Sequence, residues 1–284
     1  LVPRFDPEGL LALIERYRIS HMFMVPTMFV RMLKLPKDVR EKYDVSSLRY
    51  IIHAAAPCPP EAKRQMIAWW GPIIHEFYGS TESSAVTLAT SEDALKKPGT
   101  VGRPIDGAEI VIVGDTGETL GPNQTGEIFT RIHGMPDFTY FNKPEKRAEI
   151  DRKGLITSGD VGYLDDDGYL FINDRKRDMV ISGGVNIYPA EIESVALHMP
   201  DIKDCAVFGI PDSEFGESLM AVVEPQPGID LKIDDVRAYL RQHLADYKVP
   251  RHIEIGHNLP REDSGKIFKR RLRDPYWAKA GRTI

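Results

Sequence analysis

Cysteine is scarce in this chain, which carries only Cys58 and Cys205 among its 284 residues. Two isolated thiols form neither a disulfide framework nor a metal-ligand spacing, so folding must rest on a hydrophobic core, and a reducing, cytoplasmic setting is the simpler expectation. Long apolar runs are missing too. The longest, His21 to Val30, is broken by Pro26 and Thr27 and falls well short of the ~20 residues that span a bilayer. No membrane span is expected, and peripheral membrane contact and homo-oligomers stay open. The N-terminus shows no basic segment followed by an apolar stretch and a small-residue cleavage site. It opens at Leu1-Val2-Pro3-Arg4 as though cut from inside a larger protein. Positive charge is not in excess either: a formal net charge of -5 argues against broad binding to nucleic acid.

What is present is a balance of 42% hydrophobic and 28% charged side chains, enough for one large domain or two ordinary ones. After Asp6 as cap and Pro7 in the first turn, Leu10, Leu11, Leu13, Ile14 and Tyr17 fall on one helical face. His21 to Pro26 reads as a buried strand, Leu48 to Ile52 and Ile73 to Tyr78 as further strands, and Pro60 to Trp70 as a helix between them. That alternation implies a layered α/β sheet over residues 1–97. Over 98–176, closely spaced glycines punctuate short strands such as Glu109 to Val113, the pattern of a β-barrel-like subdomain. The charged passage Asn173 to Asp178 leads into a mixed segment. It has helices near Ala190 to His198 and Ile233 to Leu244, and strands near Cys205 to Gly209 and Met220 to Glu224. The expected fold class is α/β, a large domain over 1–176 followed by a small, mobile α+β domain over 177–284.

Four segments carry chemistry. Tyr78-Gly79-Ser80-Thr81-Glu82 follows a strand, where an α/β sheet places ligands. Gly79 permits close backbone approach, the Ser80 and Thr81 hydroxyls can donate to phosphate, Glu82 can ligate Mg²⁺, and Tyr78 offers a flat face to a base. Alone, the segment also fits an ordinary strand-to-loop turn. Asp160, after Thr157-Ser158-Gly159, can accept two hydrogen bonds from a ribose diol or simply cap a turn. The run from Gly168 to Glu193 strings together Arg175, Arg177, the Ser182-Gly183-Gly184 turn and a helix opened by Pro189. Last, Lys266 follows Ser264-Gly265 and precedes the basic run Lys269-Arg270-Arg271. A lysine there is either a solvated charge or a cation that a moving domain brings to a centre of developing negative charge.

In this order the four segments resemble the acyl- and aryl-CoA synthetases of the adenylate-forming superfamily, over essentially the whole chain. The resemblance implies attack of an acid on the α-phosphate of ATP, giving acyl-AMP and pyrophosphate, then rotation of the C-terminal domain and displacement of AMP by coenzyme A. It implies that Tyr78 stacks on adenine with Gly79 beside it, that Glu76 is a weaker candidate for the exocyclic amine, that Thr81 touches phosphate and that Glu82 holds Mg²⁺. Asp160 and Arg175 would bind the ribose, Arg177 would be the hinge, Lys266 would bridge carboxylate and α-phosphate, and Ser182, Gly183 and Gly184 would line the pantetheine tunnel. His21 matches an aromatic position that gates acyl and thiol access, with a buried core histidine as the alternative.

The family's glycine- and Ser/Thr-rich phosphate loop has no equivalent in this chain, so the resemblance is to a C-terminal portion expected to be inactive alone. Thr139 stands where a glycine commonly precedes the tyrosine. His53-Ala54-Ala55-Ala56-Pro57-Cys58-Pro59 and Ser83-Ser84-Ala85-Val86 fall where the resemblance implies the acyl pocket, and their small side chains leave room for a medium or long aliphatic acid, with an aryl or alicyclic acid second. A non-catalytic AMP-binding paralogue is the reading from another class. The basic run from Lys269 reads equally as a solvated helix or as a contact for coenzyme A phosphates.

Overall fold

Asp6 starts the first helix as its residue type dictates: its carboxylate accepts the Gly9 N–H at 2.8 Å, and Pro7 fills the first turn of α1, Pro7–Tyr17. The computed structural model describes residues 5–261 and 267–280. It divides into two compact units, Leu1–Ile172 and Asn173–Ile284.

In the first unit α1 is followed by β1 (His21–Met24), α2 (Pro26–Leu33), α3 (Lys37–Glu41), β2 (Tyr50–His53), α4 (Pro60–Trp70), β3 (Ile74–Ser80), β4 (Ser84–Ala89), α5 (Ser91–Lys96) and β5 (Arg103–Pro104). The strands form one sheet in the order β1-β2-β3-β4-β5, parallel through β3 and antiparallel after it. Leu11, Ile14, Phe29, Met32, Met66 and Trp70 from the helices cover Met24, Ile51 and Ile74, a core on one face of the sheet. The strand read over His21 to Pro26 is present as β1, but in this chain only the face carrying Met24 is buried. β1 is an edge strand whose Phe23 is 59% exposed, because the helices cover the face carrying Met24 and successive side chains alternate.

A second, five-stranded antiparallel sheet of half-barrel form follows, with α6 (Pro144–Glu149) on a connection. Its strands are β6 (Ala108–Val113), β7 (Gly126–Ile132), β8 (Asp151–Arg152), β9 (Leu155–Leu164) and β10 (Leu170–Arg175), ordered β10-β9-β7-β6 with β8 on β9. The division between the units falls within β10.

The second unit contains β11 (Val180–Ser182), β12 (Val185–Ile187), α7 (Pro189–Ala196), β13 (Ile202–Asp212), β14 (Gly216–Pro225), α8 (Ile233–His243), β15 (His252–Ile255) and α9 (Lys269–Lys279). The order is β12-β11-β14-β13, with β15 parallel to β14. Period-2 alternation gives this sheet two apolar faces. Cys205, Val207, Leu219 and Ala221 meet Ile192, Ala196, Val236 and Leu240 of α7 and α8. Ala206, Phe208, Met220 and Val222 meet Leu272 and Tyr276 of α9.

Candidate functional site

The Tyr78–Glu82 segment is not a strand running out into a loop. β3 turns through Thr81 to Ser83 directly into β4, with Ser80 opposite Ser84 and a register shift between Tyr78 and Gly79. The turn is held from inside: Ser83 N–H donates to Ser80 Oγ at 3.1 Å and Ser80 N–H to Ser83 Oγ at 3.0 Å. The Ser80 hydroxyl is therefore engaged in the turn, while Thr81 is exposed at its tip. Gly79 is required by the turn itself, since a Cβ there would stand 1.8 Å from the Ser84 carbonyl oxygen.

Asp160 is delivered by a bulge rather than a turn. Glu127 pairs with Val161 and Phe129 with Thr157, so Ile128 of β7 faces three residues of β9, Ser158 to Asp160. Gly159 takes φ +77 within that bulge, and such bulges re-aim side chains. The Asp160 carboxylate accepts the Tyr78 hydroxyl at 2.8 Å and the Ser158 hydroxyl at 2.9 Å, all on one oxygen. An aromatic ring and a carboxylate that can take a diol are thus joined within the first unit.

Glu82 is oriented by a residue that sequence reasoning did not single out. The Tyr140 hydroxyl donates to Glu82 Oε1 at 2.8 Å. Partial burial works against the charge, but Tyr140, the Glu82 N–H and Ser80 outweigh it and hold the carboxyl below its ordinary range. The glutamate is therefore ionised, with hard oxygen donors beside an exposed threonine hydroxyl. The signal for Tyr140 in the sequence was its place directly after Thr139, where a glycine commonly precedes the tyrosine.

Glu76 takes a different part from the one expected. It is 4% exposed and ion-paired with Lys63 of α4, which is equally buried, and its other oxygen is 3.8 Å from His53 Nδ1. In this structure the Glu76 carboxylate is engaged by a buried ammonium on the face that the helices cover. His53 completes the cluster: wholly buried, edge-on to Phe29, its ring nitrogens without partners, and lowered to about 3 by burial and by the nearby Lys63 charge. His21 is no core histidine. It is exposed on the edge strand, with Nδ1 2.9 Å from Ser20 Oγ.

In the second unit, Gly183-Gly184 forms the two-residue loop of a hairpin between β11 and β12, with Ser182 opposite Val185. Both glycines have positive φ, +57 and +81, as a tight hairpin of primed type demands. A Cβ on Gly183 would crowd the Phe215 ring at 3.0 Å, whereas Gly184 faces open space. Arg175 ends β10 and is exposed, and its carbonyl accepts the N–H groups of Asp178 and Met179. Arg177 is exposed in the turn that follows. Lys266 lies outside the described residues.

A family model described as AMP-binding enzyme matches residues 1–136, and one described as AMP-binding enzyme C-terminal domain matches residues 191–266. The long-chain-fatty-acid–CoA ligase of Bacillus subtilis (strain 168) is 36% identical over 96% of this chain and 48% of its own length. The feruloyl-CoA synthase of an Amycolatopsis species is 37% identical over 95% of this chain and 54% of its own. Among solved structures, the amide bond synthetase McbA from Marinactinospora thermotolerans superposes with a TM-score of 0.87 at 32% identity, over 97% of this chain and 57% of that one. The chain spans about half the length of the curated relatives it matches.

Proposed function

We propose that this chain, which belongs to the AMP-binding enzymes of the adenylate-forming acyl-CoA synthetase family, carries nucleotide- and thiol-handling parts of a cytoplasmic acid–CoA ligase. The observation that supports this most directly is the bond from Tyr78 to Asp160, because it pairs a base-sized aromatic face with a diol acceptor beside the Thr81–Glu82 turn. In the first half-reaction the acid's carboxylate oxygen attacks the α-phosphorus of ATP and pyrophosphate leaves. In the second, the coenzyme A thiol attacks the acyl carbon, loses its proton and expels AMP.

The parts divide accordingly. Tyr78 stacks on adenine, Asp160 and Arg175 take the ribose hydroxyls, and Thr81 contacts phosphate. Glu82 fits Mg²⁺: an ionised carboxylate held at one oxygen by Tyr140 supplies one hard ligand, and Mg²⁺ commonly takes only one or two carboxylates along with substrate phosphates. When bound, the ion would neutralise phosphate charge. Lys266 neutralises charge between carboxylate and α-phosphate in the first step only. The Ser182–Gly184 hairpin passes the pantetheine arm in the second, after a rearrangement hinged at Arg177.

The acid is a medium or long aliphatic acid, with aryl or alicyclic acids second. The small residues after β2, with Ala55 at φ +77, support an acyl pocket there. The likeness to an amide bond synthetase makes an amine acceptor the competing reading. The full-length protein, assayed with a panel of acids for pyrophosphate release and with coenzyme A or amines as acceptor, decides among these. Lys266→Ala should abolish acyl-adenylate formation and spare thioester formation from preformed acyl-adenylate. Equal loss of both half-reactions contradicts the assignment.

A further inference from the structure

Lys269, which opens α9, is drawn inward, whereas Arg270 and Arg271 beside it are exposed. Lys269 holds its ammonium 2.7 Å from Glu193 Oε1, with the two side chains 22% and 17% exposed. The same oxygen accepts the Val207 N–H at 2.6 Å, so one carboxylate links α7, β13 and α9. Asp174 is bonded to the same helix, α7. Its Oδ2 accepts the Ala190 N–H in the first turn of α7 at 2.9 Å and its Oδ1 accepts the Arg175 N–H at 2.8 Å. Burial pushes both carboxylates toward protonation and Lys269 opposes it; burial also disfavours the ammonium, and the carboxylates outweigh that. One turn along, Arg273 lies 3.8 Å from Asp178 and donates to the Arg177 carbonyl at 3.4 Å.

The chain on either side of residues 262–266 is also held. Arg261 bridges to Ile267, and Phe268 N–H donates to the Pro260 carbonyl at 2.7 Å. Lys269 follows Lys266 by three positions, and Asp174 immediately precedes Arg175. A buried ion pair is a weak source of stability, because apolar replacements of similar volume often do as well. Registration of the segments it joins is the better account.

Resting on the ligase reading above, we propose that Lys269 is a positioning residue for acyl-adenylate formation. By tying the first turn of α9 to Glu193 of α7, whose first turn Asp174 holds beside Arg175, it fixes the start of α9, three positions after Lys266 in sequence, relative to the ribose-binding arginine.

The test uses the full-length protein. Lys269→Met should lower kcat for ATP–pyrophosphate exchange about 100-fold, as expected when a reacting group is misplaced by about 1 Å. Thioester formation from supplied acyl-adenylate should change less than about 3-fold. Lys269→Arg should recover most of the exchange activity. If Lys269→Met does not fold, the double variant Glu193→Gln/Lys269→Met, which removes both charges, should show the same split between half-reactions. Unchanged exchange, or equal loss of both half-reactions together with a lowered Tm, overturns the role. A wild-type full-length protein that forms no acyl-adenylate from any acid of the panel would instead remove the ligase reading, and this role with it.

Discussion

The Tyr78 hydroxyl donates a 2.8 Å hydrogen bond to Asp160 across 82 residues of chain. It joins the β3–β4 hairpin of the first, mixed sheet to a bulge in the half-barrel sheet, so each side chain is oriented by an element that the other does not belong to. Tyr78→Phe keeps the ring and removes the hydroxyl, leaving Asp160 held from Ser158 alone among these two hydroxyls. A hydrogen bond to a charged group contributes about 1.5–3 kcal/mol. The KM for ATP is therefore expected to rise roughly 10-fold or more with kcat little changed, since the ring remains to stack while the ribose acceptor is less well fixed. Steady-state kinetics over ATP concentration measure this. An unaltered KM would separate Tyr78 and Asp160 from nucleotide binding.

His53 makes acid stability a second test. Burial and the Lys63 ammonium bring it down to about 3 from an unfolded value near 6.5, and Glu76, 3.8 Å away, does not rescue it because Lys63 already pairs with that carboxylate. The unfolded chain therefore takes up a proton at His53 that the native state refuses. The stabilising contribution is complete above about pH 6.5 and lost as the pH falls toward 3, at about 1.4 kcal/mol per pH unit. His53→Leu should flatten the decline measured by denaturant unfolding between pH 6 and 4. Parallel curves for the two proteins would mean that His53 is protonated in the folded state.

Local chemistry made much of the fold legible. Asp6-Pro7 announced α1, and adjacent glycines after Ser182 announced a turn that only positive φ can close. The apolar segment Cys205 to Gly209 announced β13, though not that its two faces serve different helices. What stayed hidden depends on side-chain direction. A one-residue change of register sends a strand's side chains to the other face, and both Tyr78 and Asp160 sit at register shifts. The partner of Glu76 is Lys63 on the facing helix, and that of Glu82 is Tyr140, 58 residues on. No spacing rule relates such pairs, so Glu76 looked like a ligand-binding carboxylate and Tyr140 like an irregular loop residue. Lys269 read equally as a solvated residue or as a contact for coenzyme A phosphates because its sequence neighbours are basic, whereas its carboxylate partner Glu193 lies 76 positions upstream.

Gly184 offers a test of the thiol step that packing does not confound. An added Cβ meets nothing within 4 Å, so Gly184→Ala changes only the backbone preference and the space on the open side of the hairpin. Its φ of +81 makes the alanine strained, at about 1–2 kcal/mol, and a lowering of Tm by a few degrees is expected. Gly183 is the poorer choice, because its Cβ would press on Phe215 and mix packing with access. If the hairpin passes the pantetheine arm, Gly184→Ala should raise the KM for coenzyme A several-fold. ATP–pyrophosphate exchange, which needs no thiol, should stay at the wild-type rate. A small acceptor such as hydroxylamine, which needs no tunnel, should be used as well by the variant as by the wild type. If coenzyme A kinetics stay unchanged while Tm falls, the two glycines serve the turn alone and the thiol reaches the acyl-adenylate by another path.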